Sequence, residues 1–162
     1  MQARTETLAT YTVTPTRQDI IAQALALLED DLRNRPAMTA PQSVKDYLML
    51  HNGQRTDQHV EIFAVMFLDN QSRLIAIEDM FMGTLTQTSV YPREVVRAAL
   101  RHNAAAVVLT HIHPSGSVEP SRADEALTQH LKASLALVDV RVLDHISSSG
   151  DRSLSMAERG LC

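Results

Sequence analysis

The chain has 162 residues, 44% apolar and 21% charged, with five Gly and six Pro, the composition of a globular protein able to bury a core without disulfides or a structural metal. Fifteen Lys and Arg against 19 Asp and Glu leave a net charge of −4 without long runs of one sign, which disfavours a general nucleic-acid binder. Its one cysteine, Cys162, excludes a disulfide framework and a thiolate-rich zinc module and fits a reducing, cytoplasmic setting; no signal peptide or stretch of ~18 apolar residues stands out.

Residues 1–16 read as a loosely attached, Thr-rich lead. From Arg17 the pattern turns helical, with Ile20, Ile21, Ala24, Leu25, Leu28 and Leu32 at three- and four-residue intervals until Pro36 ends it. A second helix fits 41–50, with Pro41 early, Val44, Tyr47 and Leu48 on one face, and Gly53 as the breaker beyond. The apolar run 60–68 reads as a central strand, and the Asp69-Asn70-Gln71 turn leads into a hairpin partner over 73–81. Gly83 and Thr84 break or bulge that partner. Tyr91-Pro92-Arg93-Glu94 opens a helix to His102 with Val95, Ala98 and Ala99 inward, and 104–110 is another buried strand. After a loop, Ser121 starts a helix ending near Val138. A strand over 140–146, a turn over 147–151 and a tail strand over 152–156 complete the chain. Alternating strands and helices predict an α/β fold, a three-layer α/β/α sandwich with a mixed sheet. The expected division is a lead and helix over 1–39 followed by a domain over 40–162.

The chemistry concentrates where the strand over 104–110 ends. His111 and His113 are two apart at a strand exit, so both imidazoles leave the same face, with Ile112 expected to point into the core. Pro114 turns the chain away, and Ser115-Gly116 is turn material. Asp124, in the first turn of the helix that Ser121 caps, can return over the histidines. Two His and one Asp make the three-ligand set of a catalytic zinc site, which leaves a fourth position for water. Glu61, a charge between Val60 and Ile62 on a strand expected to be buried, is the candidate base for that water, and the Ser121 hydroxyl is a candidate oxyanion donor.

Glu61, then His111-x-His113, seven residues, Ser121, two residues and Asp124 resembles the JAMM motif of JAB/MPN metalloproteases. The likeness extends to the bacterial RadC-like branch through His113-Pro114-Ser115-Gly116, Pro120-Ser121, Tyr91-Pro92-Arg93-Glu94, Gly83-Thr84 and Asp144-His145, and covers about three quarters of the chain. It implies a cytidine-deaminase-like sandwich, Zn2+ held by His111, His113 and Asp124, and Glu61 as general acid and base with Ser121 assisting. The branch commonly has Asn where this chain has Ile112, a position expected to face away from the metal. Longer members carry an upstream helix-hairpin-helix region associated with DNA binding, for which the residues before 40 are too short and lack the glycine hairpin.

The leading expectation is therefore a zinc hydrolase of peptide or isopeptide bonds acting on a peptide or protein conjugate. The second is a nucleic-acid-associated accessory protein with a structural or vestigial metal, reached through an Arg93, Arg97 and Arg101 stripe that reads more readily as a solvated helix face. A third reading, a zinc nucleobase deaminase, shares the expected fold but is disfavoured by the absence of the P-C-x-x-C cysteines. His145 beside Asp144 is a candidate to orient a ligand or the water, while His51, His59, His102 and His130 lack ligand spacing and read as surface residues. Met80 and Met82 are expected to pack an edge or interface.

Overall fold

The computed structural model describes residues 15–34, 39–53, 60–83, 89–114 and 116–162. The lead over 1–14, Pro36, His59, Thr84 and Ser115, each given an expectation above, lie outside the described residues.

Helical apolar spacing makes α1 (Arg17–Asn34) and α2 (Pro41–Gly53) amphipathic, burying Leu25 from the first and Val44, Tyr47 and Leu48 from the second. The helix α2 runs through Gly53 rather than stopping before it. Every residue of β1 (Ile62–Leu68) is buried, the pattern of a strand covered on both faces. Asp69 then builds the turn, its carboxylate accepting from the backbone N–H groups of Gln71 and Arg73 and from Arg73 Nε. The chain returns as β2 (Leu74–Met82), whose outer edge is unpaired among the described residues; Met80 packs on the core and Met82 is exposed.

Pro92, pre-shaped for a first helical turn, opens α3 (Pro92–Arg101), which buries Val95, Ala98 and Ala99. Next come β3 (Ala106–Ile112), α4 (Arg122–Ala136), β4 (Arg141–Ser149) and β5 (Arg152–Ser155). The five strands form one sheet in the order β2-β1-β3-β4-β5. Only β3 and β4, joined through α4, are parallel; the other pairs are antiparallel. On one face Phe63, Val65, Phe67, Val107 and Leu109 pack with α3 and α4 residues such as Leu131 and Leu135. On the other, Met66, Leu68, Val108 and Ile146 pack beneath α1 and α2. This is the expected three-layer α/β/α sandwich with a mixed sheet. Each fully buried Leu, Val or Phe contributes about 1.5–3 kcal/mol, so the two apolar faces of the sheet hold the fold.

Two local expectations are corrected. Ser147, Ser148 and Ser149 continue β4 instead of turning, because they are paired between β3 and β5; the turn falls at Gly150, which takes a positive φ of 59°. Ile112 does leave the face opposite His111, but the sheet end there is not sealed. It lines a cleft of about 430 Å3 with Asn52, Ile62, His113, Pro114 and Ser148, rather than entering the core.

Candidate metal centre

His111 lies near the end of β3, directly opposite Phe63 of β1, and so faces the α3/α4 side of the sheet. His113 is one residue beyond the strand but remains pinned to β4: its N–H donates to the Ser148 carbonyl at 2.9 Å, and its own carbonyl accepts from Ser149 Oγ at 2.8 Å. Strand alternation therefore persists through His113, and both rings reach the same side. The two Nε2 atoms are 2.6 Å apart.

The third group comes from the start of α4. Ser121 caps the helix, its Oγ accepting from the Asp124 N–H at 3.2 Å. In return Asp124 Oδ2 accepts from Ser121 N at 2.7 Å and from Ser121 Oγ at 2.6 Å. With Oδ2 occupied, Oδ1 is left 3.6 Å from His111 Nε2. One ligand atom from each of His111, His113 and Asp124 falls within 4.8 Å of the others.

The donor set suits a divalent ion. Donors each about 2 Å from a common ion are separated by up to ~4 Å, which the His111–Asp124 contact satisfies. The closer imidazole pair shares a proton as a hydrogen bond, and an ion would take that proton's place. Burial drives the His111 ring down to about 4, leaving it neutral at pH 7, so its contact with Asp124 is not an ion pair. Burial pushes Asp124 upward, but the charge of His111 at low pH and the two Ser121 hydrogen bonds outweigh it, and the carboxyl lies below its ordinary range.

Glu61 precedes β1 rather than lying within it. Extending the register one pair beyond Ile62↔Ile112 sets it opposite His113, on the face of the two histidines, and its carbonyl is tied to the Gly83 N–H at 2.8 Å. Glu61 is half-buried; desolvation raises its pKa, with His113 opposing and Asp124 adding to the rise. It stands across from the ligand cluster instead of within it.

His145 is fully buried behind His111: its Nε2 lies 2.8 Å from His111 Nδ1, and its Nδ1 lies 2.6 Å from Thr128 Oγ1. A bulge puts it there. Val107 pairs with Val142 but Val108 pairs with Asp144, so Leu143 is an extra residue that reverses the alternation of β4. Were Leu143 paired without a bulge, strict alternation from Val142 would turn Asp144 toward the site. Instead Asp144 is used structurally, accepting from His145 N, Ser155 Oγ and Ala157 N. Thr128 was not read from the sequence at all; its spacing of four residues from Asp124 on a helix was the available signal.

The remaining candidates lie elsewhere. Arg97 pairs with Glu94 at 3.2 Å and Arg101 with Glu78 at 2.6 Å, so two of the three stripe residues are engaged by carboxylates. His102, expected at the surface, is half-buried, stacked on Phe67 at 4.6 Å and bonded to Glu78 at 2.6 Å. His51 stacks on Tyr47 and His130 is exposed. No helix among the described residues is long and apolar enough to cross a membrane.

Comparison with known proteins agrees with this geometry. The model of the RadC-like JAB domain family matches residues 38–161. Proteins named UPF0758 protein from Acidovorax sp. (strain JS42) and Variovorax paradoxus (strain S110) are 62% and 58% identical over 142 and 147 residues. Another of that name from Leptothrix cholodnii is 57% identical over 144 residues. These matches cover 88%, 86% and 89% of this chain and 58%, 64% and 64% of the relatives, so the chain spans about three fifths of their length. Because the matched span takes in the whole sheet and every residue of the ligand group, the chain belongs to the RadC-like JAB domain family of JAB/MPN proteins.

Proposed function

We propose that the chain is a zinc-dependent hydrolase of peptide or isopeptide bonds, with His111, His113 and Asp124 as metal ligands, Glu61 as general acid and base, and Ser121 assisting. The observation that carries this reading is the approach of two imidazoles and a carboxylate within 4.8 Å at the foot of a capped helix. Family membership supports metal-dependent hydrolysis, and two nitrogen donors with one carboxylate suit zinc better than the oxygen-seeking Mg2+ or Ca2+. When bound, such an ion supplies Lewis acidity, polarising a carbonyl and making water nucleophilic at neutral pH.

Glu61 takes the proton of the attacking water and passes it to the departing amine. A carboxyl whose pKa is raised by desolvation is better matched to both halves of that transfer than an exposed one. Ser121 holds Asp124 through its N–H and its hydroxyl. When the hydroxyl turns to a developing oxyanion, the N–H still anchors Oδ2. The half-buried free Cys162 fits a reducing, cytoplasmic setting.

Metal analysis and a panel of peptide and isopeptide substrates test the assignment. Glu61→Gln is expected to keep its zinc and lose hydrolysis by roughly 100-fold or more, the scale of a positioned acid–base group. Hydrolysis by that variant at the wild-type rate would show that Glu61 is not the base.

A further inference from the structure

We infer that Thr128 and His145 are positioning residues that decide which nitrogen of His111 faces the metal site; the inference rests on the metal-centre reading above. The hydrogen-bond directions follow from one fixed end. The backbone carbonyl of Asp124 can only accept, and Thr128 Oγ1 lies 2.6 Å from it, so the threonine proton is committed there. Met156 Sδ, at 3.8 Å from the same hydroxyl, is a weak competitor.

With its proton spent, Thr128 Oγ1 accepts from His145 Nδ1 at 2.6 Å, and Nδ1 must carry the hydrogen. His145 is 0% exposed, with the Phe63 ring edge-on at 5.8 Å, an environment that disfavours imidazolium. Its Nε2 is therefore bare and accepts from His111 Nδ1 at 2.8 Å. That contact fixes the proton of His111 on Nδ1 and leaves the Nε2 lone pair directed toward His113 and Asp124. The relay also joins two ligands, since it begins at the side chain of His111 and ends on the backbone of Asp124. A ring free to choose its tautomer would spend part of its time with a proton where the metal must bind.

Nitrogen-15 long-range correlation spectra of the chelator-stripped chain, together with zinc competition titrations of Thr128→Val and Thr128→Ser, test this. The stripped wild type is expected to show His111 and His145 both as Nδ1–H tautomers. Thr128→Val should weaken zinc binding roughly 10- to 100-fold, and Thr128→Ser, which keeps the hydroxyl, should stay within about threefold of wild type. Urea unfolding in chelator verifies that each variant is folded, and if Thr128→Val is not, the wild-type spectra and the serine variant decide. A His111 proton on Nε2 in the stripped wild type, or a folded Thr128→Val that binds zinc as tightly as wild type, would overturn the inference. Nδ1–H tautomers in a wild type that takes up no zinc would instead support the relay and defeat the metal-centre reading.

Discussion

Acidification of the metal-free protein should destabilise it through its two buried neutral histidines. Burial holds His111 down to about 4 and His145 down to about 3, against an ordinary value of 6.5. Both folded values lie below the unfolded one, so between pH 6.5 and about 4 the unfolded chain binds the extra protons. Stability is therefore fully present above pH 6.5 and is lost as the pH falls. Near pH 5 each ring is almost wholly protonated in the unfolded chain and almost wholly neutral in the folded one, which gives about 1.4 kcal/mol per pH unit for each. Integrated from pH 7 to 5, the loss is about 2 kcal/mol per ring and about 4 kcal/mol for the pair, a large share of a domain's usual stability. Glu61, with its pKa raised, opposes this slightly at the acid end, because the folded state takes its proton first. Asp69, Glu78 and Asp124 are held low, so they add stability at neutral pH that is surrendered only at more acid pH. Urea unfolding in chelator across pH 7 to 5, for wild type and His145→Gln, measures the effect. The glutamine amide can accept from His111 and donate to Thr128 without titrating, so the variant should show about half the slope. A wild-type stability that stays flat over that range would refute the assignment of two buried neutral rings.

Other outcomes follow from single contacts. Ser121→Ala removes the cap of α4 and should lower stability by about 1 kcal/mol, near 3 °C in Tm by thermal unfolding. Leu131, fully buried between α4 and the sheet, should cost about 2–5 kcal/mol on truncation to Ala, whereas Ile20→Ala on the exposed side of α1 should stay within about 0.5 kcal/mol in urea unfolding.

Much of the architecture is written in local pattern. The eight apolar positions among the nine residues from Val60 to Leu68 announce a strand buried on both faces, and the three- and four-residue spacing of Ile21, Ala24, Leu25 and Leu28 announces a helix with one covered side. The ligand triple is legible because His-x-His at a strand exit and Asp at the third position of a capped helix are both short-range geometry. What escaped depends on neighbours distant in sequence. Ser147–Ser149 look like a turn until β3 and β5 are known to flank them. The burial of His145 depends on an extra residue at Leu143, which no period-two reading anticipates. Arg101 and His102 meet Glu78 across a sequence gap of more than twenty residues, so a helix-only view leaves the arginine as a free stripe charge.

Zinc uptake by the intact chain is the most direct measurement of the central claim. Metal analysis and competition titration should return about one zinc per chain, released by chelator and lost in a folded His113→Ala variant. A folded wild-type preparation that takes up no zinc, or a His113→Ala variant that binds it undiminished, would contradict the account.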